Sequence, residues 1–262
     1  MAASSLSQSK NVLYITLEMA EERIAERIDA NLLNVDLDQI KDLPKSMFEN
    51  RINKINEKTQ GRLIIKEYPT ASANVGHFKA LLNELALKRS FRPDIIFIDY
   101  LNICSSSRFK PGGSVNSYTY VKAIAEELRG LAVEFNLPIL SATQTTRSGY
   151  SNTDVQLTDT SESFGLPATA DFMFALISTE ELEQLNQLMV KQLKNRYNDP
   201  TLHKRFMVGI DRAKMRLFDL EASAQQGLAD TGTSKEEETV NEYDFRKFFK
   251  AQPKKDFSSI KI

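Results

Sequence analysis

A single cysteine, Cys104, leaves these 262 residues without an intrachain disulfide and without a thiolate zinc cage, and neither His77 nor His203 clusters with it in the sequence. The composition therefore points away from zinc chemistry. Long apolar runs are missing as well: none approaches the length that spans a membrane. The opening, Met1-Ala2-Ala3-Ser4-Ser5-Leu6-Ser7-Gln8-Ser9-Lys10, has neither the basic start nor the continuous apolar stretch of a secretory signal. Charge of one sign is also lacking. Lys and Arg number 34 against 35 Asp and Glu, a net charge of -1, so no global field attracts nucleic acid. Any such binding has to come from local basic loops or from a ring that concentrates them. The last absence is a Gly-Lys pair, and with it the G-x-x-x-x-G-K-S/T loop whose amides and lysine hold phosphates.

What is present fits a soluble globular protein: 41% hydrophobic and 26% charged, in a chain long enough for a sizeable core. Strands alternate with amphipathic helices for about the first 180 residues, the pattern of a mostly parallel sheet with helices on its faces. Val75, Phe78, Leu82 and Leu85 step by three or four, as do Val121, Ile124, Leu128, Leu131 and Phe135, and each set predicts a core-facing helical stripe. Met19, Ile24, Ile28 and Leu32 predict another helix after the first strand, and Met47, Phe48, Ile52 and Ile55 a further one. Strands are predicted at residues 11–17, 63–66, 94–99, 138–143 and 171–177, five strands joined by four crossovers. Residues 188–193, 205–210 and 215–220 then follow with short connections, which predicts an antiparallel extension. Residues 222–242, rich in Ala, Gln, Gly, Thr and Glu, read as a flexible linker. The last stretch, residues 243–262, mixes Tyr243, Phe245, Phe248 and Phe249 with Arg246, Lys247, Lys250, Lys254 and Lys255. It suits a partner protein or single-stranded nucleic acid, or a small helix docked on its own domain.

Chemistry-bearing residues gather at the ends of these strands. Asp94-Ile95-Ile96-Phe97-Ile98-Asp99-Tyr100 is an apolar run that delivers Asp99 at the carboxyl end of a buried parallel strand, where ligands of open α/β sheets sit. Asp99 is a candidate ligand for a metal-bound water; an Asp that merely starts a turn reads the same way. The first strand ends in Thr16-Leu17-Glu18-Met19, and Glu18 either polarises an attacking water or favours the amino end of the next helix through its dipole. Ser141-Ala142-Thr143-Gln144 brings an amide to the same sheet edge, as a phosphate sensor or as an ordinary loop amide. Lys194 and Arg196, at i and i+2, share one face of a strand end and suit charge developing on a transferred phosphate; a solvated basic strand end is the alternative.

Taken in order, these segments resemble the motor domain of the DnaB-type replicative helicases, and among them the helicases of T-even-like bacteriophages. The resemblance is carried by Asn11-Val12-Leu13-Tyr14-Ile15 with Leu17-Glu18-Met19-Ala20-Glu21-Glu22, Ile98-Asp99-Tyr100-Leu101, Val121-Lys122-Ala123-Ile124-Ala125-Glu126-Glu127-Leu128-Arg129 and Gly165-Leu166-Pro167-Ala168-Thr169-Ala170-Asp171. It covers residues 11–221.

The resemblance implies a RecA-like core in a hexameric ring, ATP with Mg2+ at subunit interfaces, and single-stranded DNA in the central channel. Residue by residue it makes Glu18 the catalytic carboxylate, Asp99 the magnesium-water ligand, Gln144 the phosphate sensor, and Lys194 with Arg196 the cations given to a neighbour's ATP. Arg27 matches a family arginine on the helix after the first strand. Residues 105–117 and 145–161 correspond to channel loops, with Arg108, Lys110 and Arg147 as their DNA-contacting cations. A primase and a helicase loader are the implied partners, with no membrane, and the implied location is the cytoplasm of a bacterial host to a phage.

The family's first strand and phosphate loop are not in this sequence, so Met1 reads as an internal start. The expected architecture is α/β: a RecA-like, mostly parallel sheet flanked by helices, with an antiparallel extension and an amino-terminal truncation. Residues 1–221 form the partial motor, 222–242 the linker and 243–262 the basic-aromatic tail. Two functions stay open: the carboxyl-terminal part of an ATP-driven helicase, or an ATP-independent module that binds DNA or a helicase ring.

Overall fold

In the computed structural model the described residues are 1–59, 61–110, 115–145, 155–157, 165–199 and 202–225. The chain divides into two units, Met1–Gln226 and Gly227–Ile262, and the second lies outside the described residues, as does the predicted tail.

Four strands, β1 (Val12–Thr16), β2 (Leu63–Glu67), β3 (Ile95–Asp99) and β4 (Ile139–Ser141), form a parallel sheet in the order β2-β1-β3-β4. Their β-branched and aromatic residues suit a pleated surface. Val12 stands opposite both Leu63 and Ile95, and Ile96 opposite Ile139. Alternation along β1 and β3 splits their side chains between two cores. Leu13, Ile15, Ile96 and Ile98 enter one, where α5 (Val75–Arg89) contributes Phe78, Leu82 and Leu85, and α6 (Ser117–Phe135) contributes Ile124, Leu128 and Leu131. Val12 and Phe97 enter the other, with Ile24 and Ile28 of α2 (Glu21–Leu33). The predicted stripes on α2, α5 and α6 are thus core stripes, as their spacing requires.

The polar-looking opening is ordered. Ala2–Ser7 forms α1, and its Ala2, Ala3 and Leu6 are buried in the second core, while the serines hide that pattern in the sequence. Burial also holds the Met1 ammonium below its ordinary pKa. After α2 come a four-residue helix, α3 (Leu37–Ile40), and α4 (Lys45–Lys58). The stripe of α4 is only half covered: Phe48, Ile52 and Ile55 are half-buried and Met47 is exposed. Gly61 leads into β2 with the backbone of Lys10 pressed against it, since a Cβ there would lie 2.6 Å from the Lys10 carbonyl oxygen.

The fifth predicted strand does not join the parallel sheet. β5 (Phe172–Ile177) pairs antiparallel with β6 (Gln187–Asn195), which pairs with β7 (Arg205–Asp211) and then β8 (Arg216–Asp219), in a second sheet of order β5-β6-β7-β8. Two short helices flank β5, α7 (Gly165–Thr169) and α8 (Glu180–Gln184), and α8 is too short for the crossover that a parallel partner needs. Among the described residues β4 is hydrogen-bonded in the sheet only to β3, and β5 only to β6, so among those residues both are edge strands. The start of the predicted linker is also structured. Ala222–Gln225 is a 3-10 turn, and the Gln225 amide pairs with both backbone groups of Met207, at 2.9 and 2.8 Å. No helix among the described residues is long and apolar enough to cross a membrane.

Candidate functional site

The carboxyl ends of β1, β3 and β4 bring three predicted residues to one edge. Thr16, fully buried at the end of β1, donates its hydroxyl to the Met19 carbonyl (2.8 Å) and accepts the Met19 amide (3.1 Å). The turn so fixed carries Glu18, which is exposed. The Leu17 amide donates to the Asp99 carbonyl at 2.9 Å, and the register sets Thr16 opposite Asp99. The edge is therefore built by backbone pairing, with the two carboxylates on neighbouring strand ends.

Asp99 is half-buried, and its Oδ2 accepts the Tyr14 hydroxyl at 3.0 Å. Tyr14 is stacked on Phe97, with ring centroids 6.0 Å apart. Burial first, then the charge and hydrogen bond of Asp99, raise the Tyr14 pKa, while the charge of Arg27 acts in the opposite direction. Arg27 therefore belongs to the electrostatic surroundings of this pair. It also lines a cleft of about 200 Å³ with Met19, Arg23, Glu26, Leu37, Asp38 and Lys41. The Asp99–Tyr100 peptide is cis. On the other side, Gln144 follows β4 and its Nε2 donates to the Tyr100 hydroxyl at 3.4 Å. Ser141 Oγ donates to the Ile98 carbonyl at 2.8 Å and ties the two strand ends together.

Lys194 and Arg196 come together at the end of β6, against the carboxyl end of α7. Lys194 Nζ donates to the carbonyls of Pro167 (2.5 Å) and Ala168 (3.1 Å), and Arg196 donates to the Ala168 carbonyl (2.9 Å). Asp171 Oδ1 takes both Arg196 and Arg129 of α6 at 2.6 Å, and Arg129 also donates to the Thr169 carbonyl at 2.9 Å. Burial alone would raise the Asp171 pKa; the guanidiniums of Arg129 and Arg196 outweigh it and hold the carboxyl below its ordinary value. Lys194 is lowered, by burial first and then by the charge of Arg196. Asp171 and Arg129, like Tyr14, carry no role in the sequence reading. Their partners are distant in the chain, and the available signal was only that Asp171 directly precedes an apolar strand.

Of the predicted loop cations, Arg108 is paired with Glu126 of α6 at 2.5 Å, Lys110 is exposed, and Arg147 lies outside the described residues. The root of that first loop rests on Glu127. Its carboxylate accepts the hydroxyls of Ser106 (2.6 Å) and Ser107 (2.8 Å) and the Ser107 amide (2.9 Å). No group of three or more His, Cys, Asp and Glu among the described residues could hold a metal ion. A cation at Asp99 would therefore keep most of its ligands as water or substrate oxygens, as magnesium commonly does.

A parallel sheet with carboxylates at its strand ends, covered by helices on both faces, defines an open α/β domain whose ligand edge lies at the carboxyl ends of the strands. Residues 1–226 match the DnaB-like helicase C terminal domain family, and the chain belongs to that family. It is 48% identical over 224 residues to the DnaB-like replicative helicase of Enterobacteria phage T4, an alignment covering 84% of this chain and 47% of that protein. It is 33% identical over 145 residues to a probable plasmid replicative DNA helicase of Chlamydia muridarum, covering 55% of this chain and 30% of that one. The chain thus spans less than half the length of these relatives. Two solved structures share the fold at a TM-score of 0.68 and 18% identity over 84% of this chain. One is a DnaB-like replicative helicase studied for its interactions with primase, of which 53% is covered, and the other is an isolated ATPase domain, of which 78% is covered.

Proposed function

We propose that this chain is the carboxyl-terminal motor part of a replicative helicase that uses ATP to move along single-stranded DNA and unwind duplex at the fork. The observation that carries the reading is the convergence of Glu18, Asp99 and Gln144 on the carboxyl ends of β1, β3 and β4 in a chain of the DnaB-like family. Glu18 is exposed on a turn held by Thr16, where it accepts a proton from water attacking the terminal phosphate. Asp99, whose Oδ2 accepts the Tyr14 hydroxyl, would hold a magnesium-bound water, and the ion would supply charge stabilisation to the phosphates. Gln144 registers the terminal phosphate and passes its presence to the loop that follows. Lys194 and Arg196 act on the ATP of a neighbouring subunit, which requires a homo-oligomeric ring, a hexamer by family. Arg27 tunes the Tyr14–Asp99 pair. Arg108, Lys110 and Arg147 contact DNA phosphates.

The phosphate loop has to come from residues outside these 262, on the same polypeptide or on another. β4 and β5, edge strands among the described residues and without a charged residue, are suited to receive a further strand. Primase and a loader are the expected partners, and a phage-encoded chain acts in the bacterial cytoplasm. Residues 1–221, with the turn at Ala222–Gln225 packed on them, are the motor, the rest of 222–242 is the linker and 243–262 the basic-aromatic tail. The test is to combine the chain with a segment bearing the phosphate loop and measure DNA-stimulated ATP hydrolysis. Hydrolysis appears with the wild-type chain and is abolished by Glu18→Gln and by Arg196→Ala; wild-type rates in both variants end the assignment.

The absence of a Gly-Lys pair favours a second reading, an ATP-independent module that binds DNA or a helicase ring. Strongly salt-dependent binding of the chain alone to single-stranded DNA, unchanged by ATP, selects it.

A further inference from the structure

Two charged side chains are buried among the described residues, Glu127 at 8% exposure and Lys191 at 3%. They lie on different elements, α6 and β6, and in different parts of the unit. Each nevertheless does the same thing. Glu127 gathers the hydroxyls of Ser106 and Ser107 and the Ser107 amide, and the Arg108 amide in turn donates to Ser106 Oγ at 3.1 Å. The Tyr120 hydroxyl closes the set by accepting the Ser106 amide at 3.1 Å. Lys191 Nζ donates to the Val155 carbonyl at 2.7 Å, and the Val155 side chain is itself buried at 5% exposure. Ser106–Arg108 is the root of the first proposed DNA loop, and Val155 lies in the described part of the second.

Burying a charge is costly unless its hydrogen bonds are met, so a buried charge is a demanding anchor: the chain that satisfies it is held to one position. Glu127 meets this condition with one backbone and two hydroxyl donors, and hydrogen bonds to an ionised acceptor are the stronger kind. Burial would raise its pKa, but the donors from Ser106, Ser107 and Arg108 outweigh that and lower it, consistent with a carboxylate that stays charged. Arg108 also approaches Glu127, at 4.0 Å, while its main partner is Glu126. The anchor and the adjacent loop cation thus belong to one network on α6.

We infer that Glu127 and Lys191 are positioning residues, Glu127 pinning the root of the first DNA-facing loop at Ser106–Arg108 and Lys191 holding the backbone at Val155 within the second, so that the first loop's cations meet phosphates from a fixed base. This rests on the reading of those loops as DNA contacts. Neither anchor touches DNA; each acts through the loop it holds.

The test uses the full chain in two measurements. The first is hydrogen exchange by mass spectrometry on Glu127→Gln, Ser107→Ala and Lys191→Met. In the first two variants the amides of residues 106–108 exchange at least about tenfold faster, with β1 and β3 unchanged; in the third, residues 155–157 accelerate and 106–108 do not. Glu127→Gln keeps one acceptor oxygen and is expected to soften the root less than Glu127→Ala. Unchanged exchange at both anchored segments, 106–108 and 155–157, overturns the inference, and so does acceleration spread evenly over the whole unit, which marks general destabilisation. The second measurement is fluorescence anisotropy with a labelled oligothymidine at several salt concentrations. The anchor variants bind several-fold more weakly with the wild-type salt slope, whereas Arg108→Ala reduces the slope by about 1. Softened roots with unaltered affinity uphold the anchors and overturn the DNA reading of the loops instead.

Discussion

The two sheets of this unit are built by different physics. In the parallel sheet, β1 is buried at four of five positions, because helices cover both faces. In the antiparallel sheet, β8 is exposed at all four positions and the core shrinks to Leu188, Val190 and Val208 with Phe174 and Ile210 beside them. The first sheet holds the fold; the second presents the Lys194 and Arg196 strand end. Stability should thus respond mainly to changes in the first half, and the placement of the cations mainly to changes near the second.

The strongest way to break that contrast is a deletion in the better core. Phe78→Ala, at a fully buried ring, is expected to cost about 3–5 kcal/mol in denaturant unfolding. A smaller loss follows from backbone crowding. Gly61→Ala sets a methyl 2.6 Å from the Lys10 carbonyl oxygen, which has no flexible end to yield, and should cost about 1–3 kcal/mol by the same assay. Leu217→Ala on β8, a side chain 45% exposed, is expected within about 0.5 kcal/mol of wild type. A loss as large as that of Phe78→Ala would mean that the second sheet shares in holding the fold after all.

Two subtler changes sharpen the comparison through charge. Asp171 holds Arg196, and its carboxyl is depressed below its ordinary value, so its contribution is present above the unfolded pKa and fades as pH falls through the folded one. The three side chains are more than a third exposed, so Arg129→Ala is expected to lower the melting temperature only slightly at neutral pH and by less in acid, where only the Thr169 carbonyl contact remains to be lost. Thermal melts at neutral and acid pH measure it. Asp29 on α2 runs the other way. Burial raises its pKa to about 6, so the folded state binds the proton more tightly and wild-type stability falls as pH rises from the ordinary carboxylate range to that value. Asp29→Asn should melt a few degrees higher than wild type above that range and match it once both folded and unfolded carboxyls are protonated. An equal difference at every pH would remove titration of Asp29 as the cause.

Much of the parallel half was legible in the letters. The step of three or four through Phe78, Leu82 and Leu85 and through Ile124, Leu128 and Leu131 made those faces core, and the strand ends at Glu18 and Asp99 could be found because each follows an apolar run directly, while Gln144 comes a few residues after the shorter run Ile139-Leu140. The second half was less legible. An apolar run such as Phe172–Ile177 reads the same in a parallel or an antiparallel sheet, and only its pairing with β6 decided the direction.

By itself, then, the sequence determined the α/β alternation, the family and the residues that converge on one sheet edge, because periodicity and strand ends are local properties written in consecutive residues. Only the tertiary structure decided that Tyr14 meets Asp99, that Asp171 draws Arg129 and Arg196 onto one oxygen, that buried Glu127 takes the Ser106 hydroxyl, and that buried Lys191 meets the Val155 carbonyl. Those relations join residues far apart in the chain, and the balance of desolvation against hydrogen bonding that makes them matter exists only once the chain has folded.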